Sequence, residues 1–268
     1  MTYLSFVKND SVYNFHISII KMKNIEFWRP SKYVYSKGIL RASRDSKEVG
    51  VCSRLIADLV AEFYDSNLRI YAKGELIDLG CGKVPLYNTY KDYIRNCTCV
   101  DWMSECKHNI YLDFELDLNN KLPFKDFSFD TIILSDVLEH IRKPELLWAE
   151  MSRILQLKGN LIMNVPFLYW LHEKPYDYFR YTEFALVSMA EQSGFKIIKL
   201  ETIGGLPEVI ADITSKVITV IPLIGKPIAV FIHFITKFFI KTKIGKRISK
   251  KSGKQFPLGY ALIAEKIN

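Results

Sequence analysis

The sequence is expected to fold as an α/β protein on a doubly wound, mostly parallel sheet with helices on both faces. Three observations carry this expectation. Short apolar runs suited to buried strands alternate with segments whose apolar residues recur every three to four positions. One such run, Glu75–Leu79, opens directly into Gly80-Cys81-Gly82. A second, Thr98–Asp101, closes on an acidic residue nineteen positions after Gly82.

The elements follow in order. Residues 1–45 are aromatic and irregular, with Trp28, Tyr33 and Tyr35. From Ser46 to Tyr64 a helix is expected, because Cys52, Leu55, Ile56, Leu59, Val60 and Phe63 share one face. Strand one is Glu75–Leu79. Pro85 then starts a helix, where its missing N–H costs nothing. Strand two ends at Asp101, and a third lies near Ile110–Leu116. Strand four is Asp130–Leu134, followed by a helix over 145–155 and strand five at Asn160–Val165. Thr182 caps a helix that runs to about Ser193 and is ended by Gly194. Phe195–Thr202 is strand six, and Tyr260–Ile267 closes a seven-stranded sheet. The domain reading is an N-terminal segment 1–45, a core 46–205, an insertion 206–258 and a closing strand 259–268.

In such sheets ligands bind beyond the carboxyl ends of the strands. Glycines after strand one let a backbone approach a ligand that a Cβ would block. An acidic side chain at the end of strand two is placed to accept hydrogen bonds from ribose hydroxyls. The pattern therefore points to a nucleoside cofactor. It excludes the pyrophosphate-cradling G-x-G-x-x-G turn, because Pro85 stands where the third glycine belongs.

Further runs join this turn. Leu122-Pro-Phe-Lys-Asp-Phe-Ser-Phe-Asp-Thr-Ile-Ile-Leu-Ser-Asp-Val-Leu-Glu-His-Ile141 leads to Pro144, then to Glu150–Gly159 and the strand after it. As a set, from about Arg54 to Gly205 plus the closing strand, these residues resemble the class I S-adenosylmethionine-dependent methyltransferases, with their Rossmann-like sheet. The likeness is to type 11-like members associated with polysaccharide biosynthesis. Val84 departs from that pattern, which usually has a further glycine there.

The resemblance implies S-adenosylmethionine as cofactor. It implies that Asp78, Gly80 and Gly82 hold the methionine part and that Asp101 holds the ribose diol. Asp101 is otherwise a solvated strand-end carboxylate. Trp102 either stacks on adenine or is a core aromatic. Asp117 and Leu118 match the adenine-contacting position, with Asp113 as competitor. Ser135 and His140 lie in the loop that borders the sulfonium and the methyl acceptor. His140 is a general base for a hydroxyl acceptor, or else it caps the following helix.

The acceptor side is Pro166 to Thr182, a long loop dense in His, Asp, Arg and Tyr. Rings beside charged groups suit a pocket that stacks a ligand ring and bonds its polar edge. His172 and Asp177 are the leading general-base pair. Tyr176, Tyr178, Arg180 and Tyr181 are candidate acceptor binders, with an Asp177–Arg180 salt bridge bracing the loop as the alternative for that pair.

No metal is expected. Cys97, Cys99, Cys106 and His108 lack zinc-site spacing, and alternation packs Cys97 and Cys99 on one strand face. Five cysteines in 268 residues are expected to be reduced thiols of a cytoplasmic chain. The apolar N-terminal stretch is broken by Lys8, Asn9 and Asp10, with no leader cleavage site after it.

The net charge of +8 is concentrated in one place. Between Ile213 and Ala264 there is no acidic residue and a net charge of +10, which leaves the rest of the chain at −2. This insertion holds apolar stretches at Ile213–Ile224 and Ile228–Ile240, both too short to span a bilayer. In the second, His233, Lys237 and Lys241 form one helical stripe, with Val230, Phe231, Phe234, Ile235 and Phe238 around the other side. A polybasic run, Lys241–Lys254, follows. An anionic membrane surface bound through 213–254 fits this pattern. The alternatives are a cover for the sheet edge or a homodimer partner. Nucleic acid is disfavoured, because no aromatics interleave the basic run.

These features imply a methyltransferase, peripheral on the inner face of a membrane, that O-methylates a sugar or a lipid-linked glycan intermediate. A non-catalytic cofactor-binding module that recruits a glycan-assembly partner, or an RNA methyltransferase, are the other readings.

Overall fold

The computed structural model describes residues 22–102 and 109–268. The N-terminal stretch around Lys8, Asn9 and Asp10, and Cys106 and His108, lie outside the described residues. The elements are β1 (Tyr33–Ser36), β2 (Ile39–Ala42), α1 (Arg54–Tyr71), β3 (Gly74–Leu79), α2 (Tyr87–Tyr90), β4 (Ile94–Asp101), β5 (Phe114–Glu115), β6 (Phe129–Ser135), α3 (Pro144–Ile154), β7 (Leu155–Pro166), α4 (Glu183–Gln192), β8 (Phe195–Ile203), α5 (Leu206–Ile218), α6 (Gly225–Lys241), α7 (Lys243–Gly253) and β9 (Gly259–Lys266).

The main sheet has the order β5-β4-β3-β6-β7-β9-β8. All its pairings are parallel except those of β9, which runs antiparallel to β7 and β8. Strand β3 is interior, and its partners β4 and β6 diverge from it in chain order. The crevice at its carboxyl end is therefore the switch point where ligands bind.

Side-chain alternation divides the core between the two faces. Leu76, Cys97, Cys99, Ile133 and Ile162 pack beneath α1 and α2. Ile77, Leu79, Val100, Ile132, Leu134 and Met163 pack against α3 and α4. This agrees with the expected placing of Cys97 and Cys99 on one face. Helix α4 begins and ends as expected: Thr182 Oγ1 accepts from the Ala185 N–H, and Gly194 has φ +78°.

Four sequence expectations need correction. The first helix does not start at Ser46. The Asp45 carboxylate accepts the Lys47 N–H at 2.9 Å in a local turn, so α1 begins at Arg54 and runs on to Tyr71. Pro85 does not open a helix either, because the chain turns through it and α2 is a single turn from Tyr87. The third strand is reduced to Phe114–Glu115. Finally, residues 33–42, read as irregular, form the β1–β2 hairpin. Its two-residue loop, Lys37-Gly38, has both φ angles positive, the geometry that two-residue hairpins favour.

The insertion is helical, as α5, α6 and α7. Helix α6 reverses the usual amphipathic arrangement. Ala229, His233 and Thr236 are buried against the body, and Lys237 pairs with Asp58 of α1. Phe234 is 68% and Phe238 69% exposed, and Leu223 just before α6 is 96% exposed. The apolar face therefore covers no sheet edge, which removes that reading; the polar stripe does the packing. Among the described residues, no helix is long and apolar enough to cross a membrane.

Candidate active site

The turn after β3 is fixed by backbone bonds. Gly80 and Cys81 both donate N–H to the Val100 carbonyl, at 2.7 and 3.0 Å. Gly80 has φ +74°, and a Cβ there would meet Val137 Cγ2 at 2.4 Å. Gly82 has φ +51°, and a Cβ there would have nothing within 4 Å, so this position opens onto free space.

Asp101 closes the turn from the neighbouring strand. One carboxylate oxygen accepts the Gly82 N–H at 2.8 Å and the other accepts the Trp102 N–H at 2.8 Å. Each oxygen keeps a second lone pair for a ligand hydroxyl. Asp78 lies beneath, buried, with the Tyr90 hydroxyl at 3.4 Å. Burial, and the nearby Asp101 charge, push its carboxyl up to about 7.

One cavity of about 590 Å³ joins this turn to the loop after β7. Asp78, Gly80, Gly82, Asp101, Trp102, Asp117, Leu118 and Ser135 all line it, as do His140, His172, Tyr176 and Tyr178. Asp113 does not. Its carboxylate accepts the Cys99 N–H, which favours Asp117 in that comparison. Trp102 is no core aromatic, since its exposed ring meets Tyr176 edge-on at 4.6 Å. Ser135 donates to Asn164 Oδ1 at 2.9 Å.

The acceptor loop is anchored on Glu139, whose carbonyl accepts the N–H groups of Tyr178 and Phe179. The Glu139 side chain is fully buried, and neither carboxylate oxygen has a hydrogen-bond partner among the described residues. His140 and His172 flank it, with both Nε2 atoms 3.7 Å from Oε1. Behind them, His140 Nδ1 meets the Tyr176 carbonyl at 2.8 Å, and His172 Nδ1 lies 3.2 Å from Asp177. The two rings are 4.8 Å apart. His140 is therefore a cavity residue and caps no helix.

Two expected acceptor binders are placed elsewhere. Arg180 does not line the cavity; it grips Asp177 with two bonds, at 2.5 and 2.7 Å, and donates to the Trp170 carbonyl. This is the brace reading for that pair. The guanidinium holds the Asp177 carboxyl well below the usual carboxylate range. Tyr181 is buried in the core, and its hydroxyl donates to the Leu138 carbonyl. Its position next to Thr182, the cap of α4, turns it inward. The Asp177 side chain is buried behind His172 and accepts the His172 backbone N–H at 2.9 Å.

Several lining residues have no counterpart in the sequence reading. Asp136, at φ +54°, bonds Lys32 at 2.6 Å and the Asn164 amide at 2.5 Å. Lys32 comes from the hairpin and closes the cavity from above. Tyr169 bonds Ser53 through its hydroxyl and carries the Lys216 ammonium of α5 over its ring at 3.6 Å. Glu139 had a signal, since it adjoins His140 in the motif, but nothing in sequence brings His172 to it.

Comparison with known proteins matches residues 77–163 to a family described as a methyltransferase domain. The match covers less than half of the chain. It spans β3 to β7 and contains the glycine turn, Asp101 and the Glu139–His140 pair. A curated relative, an uncharacterised protein of Methanocaldococcus jannaschii, is 30% identical over 152 residues, covering 50% of this chain. The chain spans 60% of that relative's length. An S-adenosylmethionine-dependent methyltransferase from Mesorhizobium loti superposes with TM-score 0.50 at 14% identity, over 79% of this chain and 100% of that one. The [4+2]-cyclase SpnF superposes equally, TM-score 0.50 at 15% identity, over 79% of this chain and 82% of its own. At these identities the likeness shows the fold.

The methyltransferase domain implies S-adenosylmethionine as cofactor, and the donor set fits it. An open glycine position, a strand-end carboxylate with free lone pairs and a buried carboxylate suit a cationic, diol-bearing nucleoside with no phosphate. Asp101 would take the diol, and Asp78 with the Gly80–Gly82 backbone the methionine end.

Proposed function

We propose that this chain is an S-adenosylmethionine-dependent methyltransferase acting on a hydroxyl of a sugar or lipid-linked glycan intermediate. The observation that carries this reading is the single cavity running from the Gly82–Asp101 turn to the His172–Glu139 cluster. The cofactor supplies a methyl group on a sulfonium, whose C–S bond breaks as the new C–O bond forms. The protein's part is to position the hydroxyl and take its proton. His172, held by Asp177 through its backbone N–H at 2.9 Å, presents Nε2 to the cavity as the proton acceptor. Tyr176 and Tyr178 offer ring faces to a sugar. A non-catalytic module would need no such polar cluster.

The test is calorimetric titration of the full chain with S-adenosylmethionine and, separately, NADH. Tritiated-methyl transfer to polyprenyl-linked oligosaccharides follows. Micromolar binding of the first ligand alone, with label in the glycan, supports the reading. Absence of binding to both ligands overturns it.

The exposed face of α6 favours an anionic bilayer as the place of work. Phe231, Phe234 and Phe238 point outward beside Val217, Val220 and Leu223. Seven basic residues and no acidic one lie between Lys241 and Lys254. Each basic residue near an anionic surface contributes on the order of 1 kcal/mol. The full chain is expected to co-sediment with phosphatidylglycerol-containing vesicles and not with pure phosphatidylcholine. Phe234→Glu with Phe238→Glu is expected to abolish this without changing the melting temperature. A stable dimer in solution that ignores vesicles, or salt-sensitive RNA binding instead, would overturn this placement.

A further inference from the structure

We propose that Glu139, His140 and His172 form a binding site for one divalent transition-metal ion in the acceptor half of the cavity. The inference concerns the same site as the methyl-transfer reading and rests on it only for the ion's purpose. Three independent features of the geometry support it.

First, both imidazoles aim Nε2 at Glu139, and that of His140 presents a lone pair. The Tyr176 carbonyl can only accept, so its 2.8 Å partner, His140 Nδ1, carries the proton. Asp177, bonded by Arg180, accepts the backbone N–H of His172 at 2.9 Å and so fixes where that ring starts. Both Nε2 atoms face Glu139. A ligating histidine usually has the outer arrangement of His140, its second nitrogen held by a carbonyl or carboxylate.

Second, the Glu139 carboxylate is fully buried with no hydrogen-bond partner for either oxygen among the described residues. A buried acceptor left unpaired is costly. The 3.7 Å gaps to both Nε2 atoms are too long for hydrogen bonds. All three ligand atoms nevertheless lie within 4.8 Å of one another. A central cation with bonds of about 2.0–2.2 Å would draw them together and balance the carboxylate charge.

Third, the ligands come from rigid supports and leave the cavity side open. Glu139 and His140 end the turn after β6. His172 is carried by the loop that the Glu139 carbonyl anchors. Two imidazoles and one carboxylate suit zinc, manganese, iron or cobalt better than magnesium or calcium. Open coordination positions facing the cavity would take the acceptor hydroxyl, lower its pKa and orient its lone pair. With the ion bound, the His172 Nε2 lone pair is committed to it, and the hydroxyl made acidic by the ion would release its proton to water instead of to His172. Cys97, Cys99, Cys106 and His108, where no metal is expected from the spacing, are not among these ligands.

The test uses the untagged full chain, stripped with EDTA and titrated with manganese(II) and zinc(II) chloride by calorimetry. Cobalt(II) is followed by visible absorption. One ion per chain is expected, with ligand-field bands for cobalt. Glu139→Gln with His172→Gln should weaken uptake at least ~100-fold. S-adenosylmethionine titration of the same proteins reports whether they are folded and whether the cofactor reading holds. Cofactor binding without metal uptake by the unaltered chain overturns the metal site and spares the methyltransferase. Metal uptake without cofactor binding does the reverse. Uptake unchanged in the double variant, with cofactor binding intact, also overturns the site.

Discussion

Asp101 accepts the backbone N–H of Gly82 at 2.8 Å, so the carboxylate expected to read the ribose also fixes the turn expected to hold the methionine. Asp101→Ala removes both functions. S-adenosylmethionine affinity should fall at least tenfold, about 1.4 kcal/mol, by calorimetry. Unchanged affinity would refute the assignment.

Asp78 gives a pH signature. Its carboxyl is raised by burial, and by Asp101, to about 7 from an ordinary 3.8. Between these values the folded chain holds a proton that the unfolded chain has lost. Stability therefore falls as pH rises from about 4 to about 7, and the penalty is complete above 7. Asp78→Asn should flatten this contribution in melting curves recorded across that window. An unaltered slope in the variant would show that Asp78 titrates normally.

His233 works in the opposite direction. Burial, with Arg44, Arg54 and Lys216 nearby, lowers its pKa to about 4 from 6.5. Below 6.5 the unfolded chain takes up a proton that the folded chain refuses. Stability is present above 6.5 and lost as pH falls toward 4. His233→Gln should reduce the acid sensitivity of hydrogen exchange in α6; equal sensitivity in both proteins would count against it.

Arg180→Ala leaves the buried Asp177 carboxylate without its cation. The cost should lie between the ~1 kcal/mol of exposed pairs and the ~3–5 kcal/mol of fully buried ones. Turnover should drop, because His172 loses its fixed support, while cofactor affinity holds. Loss of cofactor binding in a folded variant would mean that Arg180 acts elsewhere than on the loop.

Much of the fold was legible because β3, β4, β6 and β7 are buried runs whose ends carry glycines or acids. The cofactor half was legible for the same reason: Asp78, Gly80, Gly82 and Asp101 are adjacent in sequence or one strand apart. The acceptor half was legible only in part. His172 and Asp177 are five residues apart and do meet, but the hub, Glu139, reaches His172 across thirty-three positions. Tyr181 and Arg180 sit in the same polar run as Tyr176 and Tyr178, and composition does not say which side chains turn inward. The β1–β2 hairpin escaped because its strands are four residues long and its Lys37-Gly38 loop lacks the Asn-Gly or Asp-Gly signal. Lys32, at its base, was hidden with it. The polar and apolar stripes of α6 were visible; which of them faces the body was set by Asp58, far away in sequence.

Lys216 lies over the Tyr169 ring at 3.6 Å and over Trp170 at 5.3 Å, and it pairs with Asp212 one turn earlier on α5. The outward face of that same helix carries Ile213 and Val217. One rigid rod thus has the catalytic loop on one side and the outer apolar face on the other. On the proposed reading, a force that tilts it at the outer face would reach Tyr169 on the cavity wall, and turnover would then depend on where the molecule is docked as well as on what it has bound.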